Sequence, residues 1–259
     1  MVRKNMLNLP IAIGVIGSLV LLTNFMALKH FGDDYNLHGG IDSFKTAGDT
    51  GGSAASSIPE TKLASALAKT PVGNLGPANT TRQRYRYYDT LFYTTLQFGA
   101  DAASIIEVGC ASDPFIKYLA WADKRTCVAP YFVKYSEGGT ENKELGKDAH
   151  VIDSVVADFM EYEVDDYSYD LLVCSQVVEH VPDPSAFVKK LIRTAKTSII
   201  SVPFKWPHCG ESCNHVTDEI SYSLLLEWSK PHKPVYSSIV REKGKGDTKK
   251  RIIMVFQPE

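Results

Sequence analysis

Two stretches of this chain bring together residue types capable of chemistry. Glu107-Val108-Gly109-Cys110-Ala111-Ser112-Asp113 follows the apolar pair Ile105-Ile106 and brackets one glycine with two acids. Ser175-Gln176-Val177-Val178-Glu179-His180 follows another apolar run and ends with a carboxylate beside an imidazole. A bound dinucleotide needs G-x-G-x-x-G, so that its pyrophosphate approaches the backbone and a helix N-terminus. Here Gly109 stands alone, with Ala111 and Asp113 at the next alternate positions, and a carboxylate repels phosphate. Acids at a strand end and at a helix start suit an ammonium group and a sulfonium. That pattern favours S-adenosylmethionine (SAM) over NAD.

His180 is a candidate general base, because it titrates near neutrality and follows a strand. The plainer alternative is that Glu179 and His180 only fix the loop by hydrogen bonds. A second candidate lies in Pro203–Asp218, where His215 and Asp218 could pair as base and orienter. His208, Cys209, Cys213 and His215 resemble zinc ligands, but usual zinc sites separate their ligand pairs by about a dozen residues. No metal is therefore expected. A Cys209–Cys213 disulfide is favoured over zinc if the domain is lumenal. Trp206 offers a stacking surface for a sugar or ring, although packed tryptophans are commoner. Cys110, Cys127 and Cys174 fall on or beside buried strands and read as core thiols.

The elements that must hold these residues alternate. Ala103–Val108, Arg125–Ala129, Val151–Val156, Asp170–Gln176 and Thr197–Val202 are strand-like apolar runs. Helices intervene. One starts at Pro114 with Asp113 as N-cap, and one at Pro184 with Asp183 as N-cap. The second carries an apolar stripe of Phe187, Val188, Leu191, Ile192 and Ala195. Asp218–Ser229 reads as a late helix with its acids in the first turn. Ahead of all these, Tyr85, Tyr88, Phe92 and Leu96 share one helical face. Two closing strands, 235–242 and 251–257, flank a basic turn and must pair antiparallel. The expected fold is α/β, a doubly wound and mostly parallel sheet with one reversed strand near its edge. In such sheets ligands sit beyond the carboxyl ends of the strands.

The N-terminus is different. Leu7–Leu28 is an uncharged apolar run, long enough for the ~20 residues that a membrane-crossing helix needs. Arg3 and Lys4 precede it, which favours a cytoplasmic N-terminus. From Gly39 to Thr81 the chain is rich in Gly, Ser, Ala and Thr and reads as a flexible spacer. Asn79-Thr80-Thr81 is a glycosylation sequon. The expected layout is tail and transmembrane anchor at 1–30, spacer at 31–80 and catalytic domain at 81–259. It resembles a type II Golgi or ER protein with a lumenal domain. The net charge of −2 over 259 residues carries no cationic groove, so nucleic acid is not an expected partner. Five cysteines do not make a disulfide scaffold.

"IIEVGCASDPF" and "VVADFMEYEVDDYSYDLLVCSQVVEHVPDP" resemble successive motifs of class I SAM-dependent methyltransferases, particularly the type 11 group. The resemblance implies a Rossmann-like methyltransferase fold and methyl transfer to an oxygen or nitrogen nucleophile of a small molecule, glycan or lipid. It implies that Glu107 and Gly109, with Ala111 and Asp113, serve the methionine part of SAM. Asp158 would hold the adenine amino group with Phe159 beside the ring, and Ser175 and Gln176 would lie along the cofactor. The family's ribose-gripping acid is replaced by Ala129, leaving Tyr131, Glu137 or backbone groups to substitute. Ubiquinone-pathway relatives carry E-x-x-E-H beside a divalent cation. Gln176-x-x-Glu179-His180 lacks one of those carboxylates, which disfavours a hard cation. The rivals are a non-catalytic member that kept the fold and an NAD-dependent oxidoreductase.

Overall fold

Runs of β-branched and aliphatic residues buried on both faces build a seven-stranded sheet in the computed structural model. It describes residues 62, 65–66, 86–110, 114–130, 152–208, 214–242 and 248–258. All of them belong to the unit Ala55–Glu259. The apolar run 7–28, the sequon at Asn79, and Ala111, Asp113, Tyr131, Glu137, Cys209 and Cys213 lie outside the described residues. Among the described residues, no helix is long and apolar enough to cross a membrane.

The strands are β1 (Ser104–Val108), β2 (Lys124–Ala129), β3 (Ile152–Val156), β4 (Tyr169–Ser175), β5 (Ala195–Phe204), β6 (Tyr236–Arg241) and β7 (Lys250–Phe256). Their spatial order is β3-β2-β1-β4-β5-β7-β6. The first five are parallel, and β7 runs antiparallel to both β5 and β6. The expected reversed strand is therefore β7, one place in from the edge. Register aligns the carboxyl ends: Val108 lies opposite Val128 and Cys174, and Ser175 opposite Ser201.

Alternation along the strands splits the core into two layers. Ile106, Leu172, Ile200, Ile252 and Met254 pack under α2 (Pro184–Thr194) and α3 (Tyr222–Ser229). Their neighbours Ile105, Leu171, Ile199 and Ile253 pack under α1 (Arg86–Gly99) and the 3-10 turn Phe115–Tyr118. α2 starts as its sequence predicts: Pro184 is in the first turn and Asp183 accepts the Ala186 N–H at 3.0 Å. Its stripe of Phe187, Val188, Leu191 and Ile192 is buried, whereas Ala195 already begins β5.

Three local expectations change. The helix expected from Pro114 is only the 3-10 turn Phe115–Tyr118. Its first N–H groups are satisfied from below by the Glu107 carboxylate, at 3.1 Å from Phe115 and 2.7 Å from Ile116. The late helix starts at Tyr222, with the Ser221 hydroxyl accepting the Leu224 N–H at 3.1 Å. Asp218 and Glu219 precede it, because a serine closer to the apolar run supplies the cap. On α1 the deepest residues are Tyr87, Leu91 and Leu96, with Phe92 beside them and Tyr88 only partly buried. The aromatic density of this segment makes several faces equally apolar, and packing against β4 selects Tyr87.

Candidate active site

β1 connects onward to β2 on one side, and β4 to β5 on the other. The carboxyl ends of β1 and β4 therefore open a crevice at a topological switch point, where doubly wound sheets bind ligands. Gly109 forms its floor. Its φ is +84°, its N–H donates to Val128 O at 2.8 Å, and a Cβ there would overlap Val177 Cγ2. Beneath it Glu107 is buried, its carboxylate holding the 3-10 turn. Glu107 thus positions the turn after β1.

Cys110 and Cys127 form a disulfide. The sequence reading of two separate core thiols is corrected. Cys110 lies just past β1, Cys127 lies in the paired strand β2, and their Cα atoms are 6.0 Å apart, within bridging range. Cys174 is a buried free thiol, and burial pushes its pKa up.

At the end of β3, Asp158 Oδ1 accepts the Met160 N–H at 2.8 Å, leaving an exposed carboxylate at the crevice side. Phe159 is buried edge-on against Phe187, ring centroids 5.4 Å apart. Its ring is part of the core under α2. Ala129 is buried and its carbonyl accepts the Ala157 N–H at 2.9 Å. At the end of β4, Ser175 Oγ lies 2.8 Å from the Tyr87 hydroxyl. Gln176 takes φ +60° and its side-chain amide donates to Ser201 Oγ at 3.2 Å. A non-glycine residue held in this left-handed region beside Gly109 is strain of the kind that collects at functional sites.

Beyond Gln176 the chain makes a 3-10 turn, Val178–His180. The Val216 and Thr217 N–H groups both donate to Glu179 O, at 2.8 and 3.1 Å. This backbone clamp carries His215 to His180, with ring centroids 4.9 Å apart. His180 Nδ1 lies 3.0 Å from Asn214 O. His215 Nδ1 lies 3.4 Å from Asp218 Oδ1, and Asp218 Oδ2 also pairs with His208 Nδ1. The expected pairing of His215 with Asp218 is therefore present, and His180 joins it. Burial and the neighbouring His180 hold the His215 pKa below its ordinary value, although Asp218 opposes them. Burial pushes the Glu179 carboxyl up to about 8. Its Oε2 is buried with no hydrogen-bond partner among the described residues.

Two residues of this region escaped the sequence reading. Tyr87 is fully buried, and burial pushes its pKa up to about 12. The Arg251 guanidinium lies over the Tyr87 and Trp206 rings, 4.8 and 5.1 Å from their centroids, and pairs with Glu242 at 3.0 Å. Trp206 donates its indole N–H to Lys250 O at 2.8 Å, so packing accounts for it. An i, i+4 count from Leu91 finds Tyr87. No local signal finds Arg251, which arrives on the reversed strand β7.

Residues 106–198 match the protein family described as "Methyltransferase domain". The chain carries a SAM-dependent methyltransferase domain. That match spans both crevice strands and the Glu179–His180 turn of the methyltransferase. Its fold is similar to that of the N-methyltransferase NodS from Bradyrhizobium japonicum WM9. The TM-score is 0.54 at 13% identity, covering 71% of this chain and 100% of that one. The same protein in complex with S-adenosyl-L-homocysteine gives 0.53 at 16% identity, over 76% and 99%. The [4+2]-cyclase SpnF gives 0.54 at 13% identity, over 76% and 91%. No curated protein matches the chain. SAM is the cofactor. The end of the sheet offers a ligand a glycine with no room for a Cβ and an exposed carboxylate after β3.

Proposed function

We propose that the enzyme transfers the SAM methyl group to an oxygen nucleophile of a small molecule, glycan or lipid, with His215 accepting the acceptor's proton. SAM supplies an already activated methyl on its sulfonium, so the protein's share is positioning and proton removal. The observation carrying this reading is the clamp that holds His215 against His180 and Asp218 at the end of β4. Asp218 favours the tautomer with the proton on Nδ1 and the lone pair on Nε2. The depressed His215 pKa keeps the ring neutral and able to accept at physiological pH. An oxygen acceptor needs such a base.

We place this domain, residues 81–259, behind a spacer at 31–80 and a transmembrane anchor within 1–30, facing the Golgi or ER lumen. The Cys110–Cys127 disulfide supports that side of the membrane, because such bonds persist in oxidising compartments.

The test scans acceptors with methyl-labelled SAM. His215→Ala should bind S-adenosylhomocysteine like the parent yet lose about 10²-fold or more in kcat, as for removal of a general base. Unchanged kcat in that variant removes the assignment. Protease protection of intact vesicles, read with glycosidase sensitivity at Asn79, checks the topology. Digestion of the domain in sealed vesicles would reverse it.

A further inference from the structure

Glu179, His180 and His215 each present one ligand-type atom, and these atoms lie within 4.8 Å of one another. We propose that this trio binds a divalent transition metal of the zinc class, with the acceptor's oxygen in the open coordination position.

The Glu179 residue is 1% exposed, and its Oε2 has no hydrogen-bond partner among the described residues. A buried acceptor without a donor calls for an occupant. The histidines are oriented as metal-bound histidines usually are, with one nitrogen held by an outer acceptor. For His180 that acceptor is Asn214 O at 3.0 Å. For His215 it is the Asp218 carboxylate at 3.4 Å, itself tied to His208. Both contacts use Nδ1, which assigns Nε2 to the metal. The ligands also stand on a rigid frame. Two come from the 3-10 turn after β4, and the third from a loop clamped to that turn by two backbone hydrogen bonds.

Four-coordinate zinc, with bonds of about 2.1 Å, places its ligands roughly 3.4 Å apart. Side-chain rotation closes the remaining gap. Two imidazoles and one carboxylate favour zinc-like ions over magnesium or calcium, which prefer several oxygens. Three protein ligands leave a position open, as in catalytic rather than structural zinc sites. The sequence grouped His215 with His208 and two cysteines; the fold brings it beside Glu179 and His180.

This inference rests on the reading that the cluster faces the acceptor. With metal present, the acceptor's O–H loses its proton to solvent on coordination, and His215 serves as ligand rather than base. The test titrates the full chain with Zn²⁺ against a chromophoric chelator, then repeats the titration with Co²⁺. One equivalent should bind at micromolar metal. The cobalt form should show a low-coordinate ligand-field spectrum without thiolate charge transfer. Glu179→Gln, His180→Ala and His215→Ala should each weaken binding at least tenfold while still binding S-adenosylhomocysteine, which reports an intact fold. Cys209→Ser/Cys213→Ser should bind zinc like the parent. Absence of binding by the parent overturns the site. So does thiolate charge transfer, or loss of zinc in the cysteine variant. Methyl transfer that requires His215 but ignores chelation also overturns the metal while leaving the base reading intact. Transfer that chelation abolishes, and that His215→Ala regains at saturating metal, does the reverse.

Discussion

Gly109 shows how much one side chain decides. Its φ of +84° is one that side-chain-bearing residues rarely adopt, and Val177 fills the space where a Cβ would stand. Gly109→Ala should therefore cost about 1–3 kcal/mol from the backbone alone. Moving Val177 also shifts the turn that leads to Glu179 and His180. S-adenosylhomocysteine affinity measured calorimetrically should fall at least tenfold; parental affinity would mean that Gly109 is not the crevice floor. Glu107 shows the opposite lesson. It was read for the ligand it would contact; the fold adds that it satisfies buried N–H groups at the start of a 3-10 turn. A side chain's type is visible in sequence, but what it bonds to is not.

At the scale of elements, the sheet is pinned at its amino ends by Asp170 on β4. Its Oδ2 accepts from the Ala103 N–H, the Ser104 N–H and the Ser104 hydroxyl, at 3.0–3.1 Å. Lys196 at the start of β5 pairs with Oδ1 at 2.8 Å. Partial burial raises the Asp170 pKa, but Lys196 and Ser104 outweigh it and the net shift is downward. The unfolded chain then binds more protons than the folded one as pH falls toward and through the folded pKa. Stability from this group is full above the ordinary carboxylate range and is lost below it. Asp170→Asn should lower the thermal midpoint at neutral pH, and the gap to the parent should close under acid conditions. A gap that stays constant down to low pH would show that the carboxylate's charge contributes nothing. The strands and α2 were legible in sequence, since apolar runs and an Asp-Pro cap are local signals. The helix at Pro114 was not, because Glu107, seven residues earlier, satisfies its first N–H groups from below.

At the scale of the whole molecule, the Cys110–Cys127 bond joins the loop after β1 to β2 across 17 positions. A loop of that order is worth about 3 kcal/mol in the chain-entropy account. Reductant, or Cys110→Ser with Cys127→Ser, should lower the thermal midpoint by several degrees in a domain of this size. An unchanged midpoint would show the bond to be energetically idle. Because the bond borders Gly109, S-adenosylhomocysteine should restore part of the lost midpoint by binding only the folded state.

The sequence by itself determined the alternation of strands and helices, the reversed strand and the SAM motifs, because each rests on periodicity or spacing within one segment. It also paired His215 with Asp218, three residues apart. The tertiary structure alone decided that Cys110 meets Cys127, that Tyr87 and Arg251 share a wall, and that His215 stands beside Glu179 and His180. Those meetings depend on which strands lie side by side and on a loop clamped to Glu179 O by the Val216 and Thr217 N–H groups. Contacts between distant segments are fixed by sheet order and register, and neither is written in any one stretch of the chain.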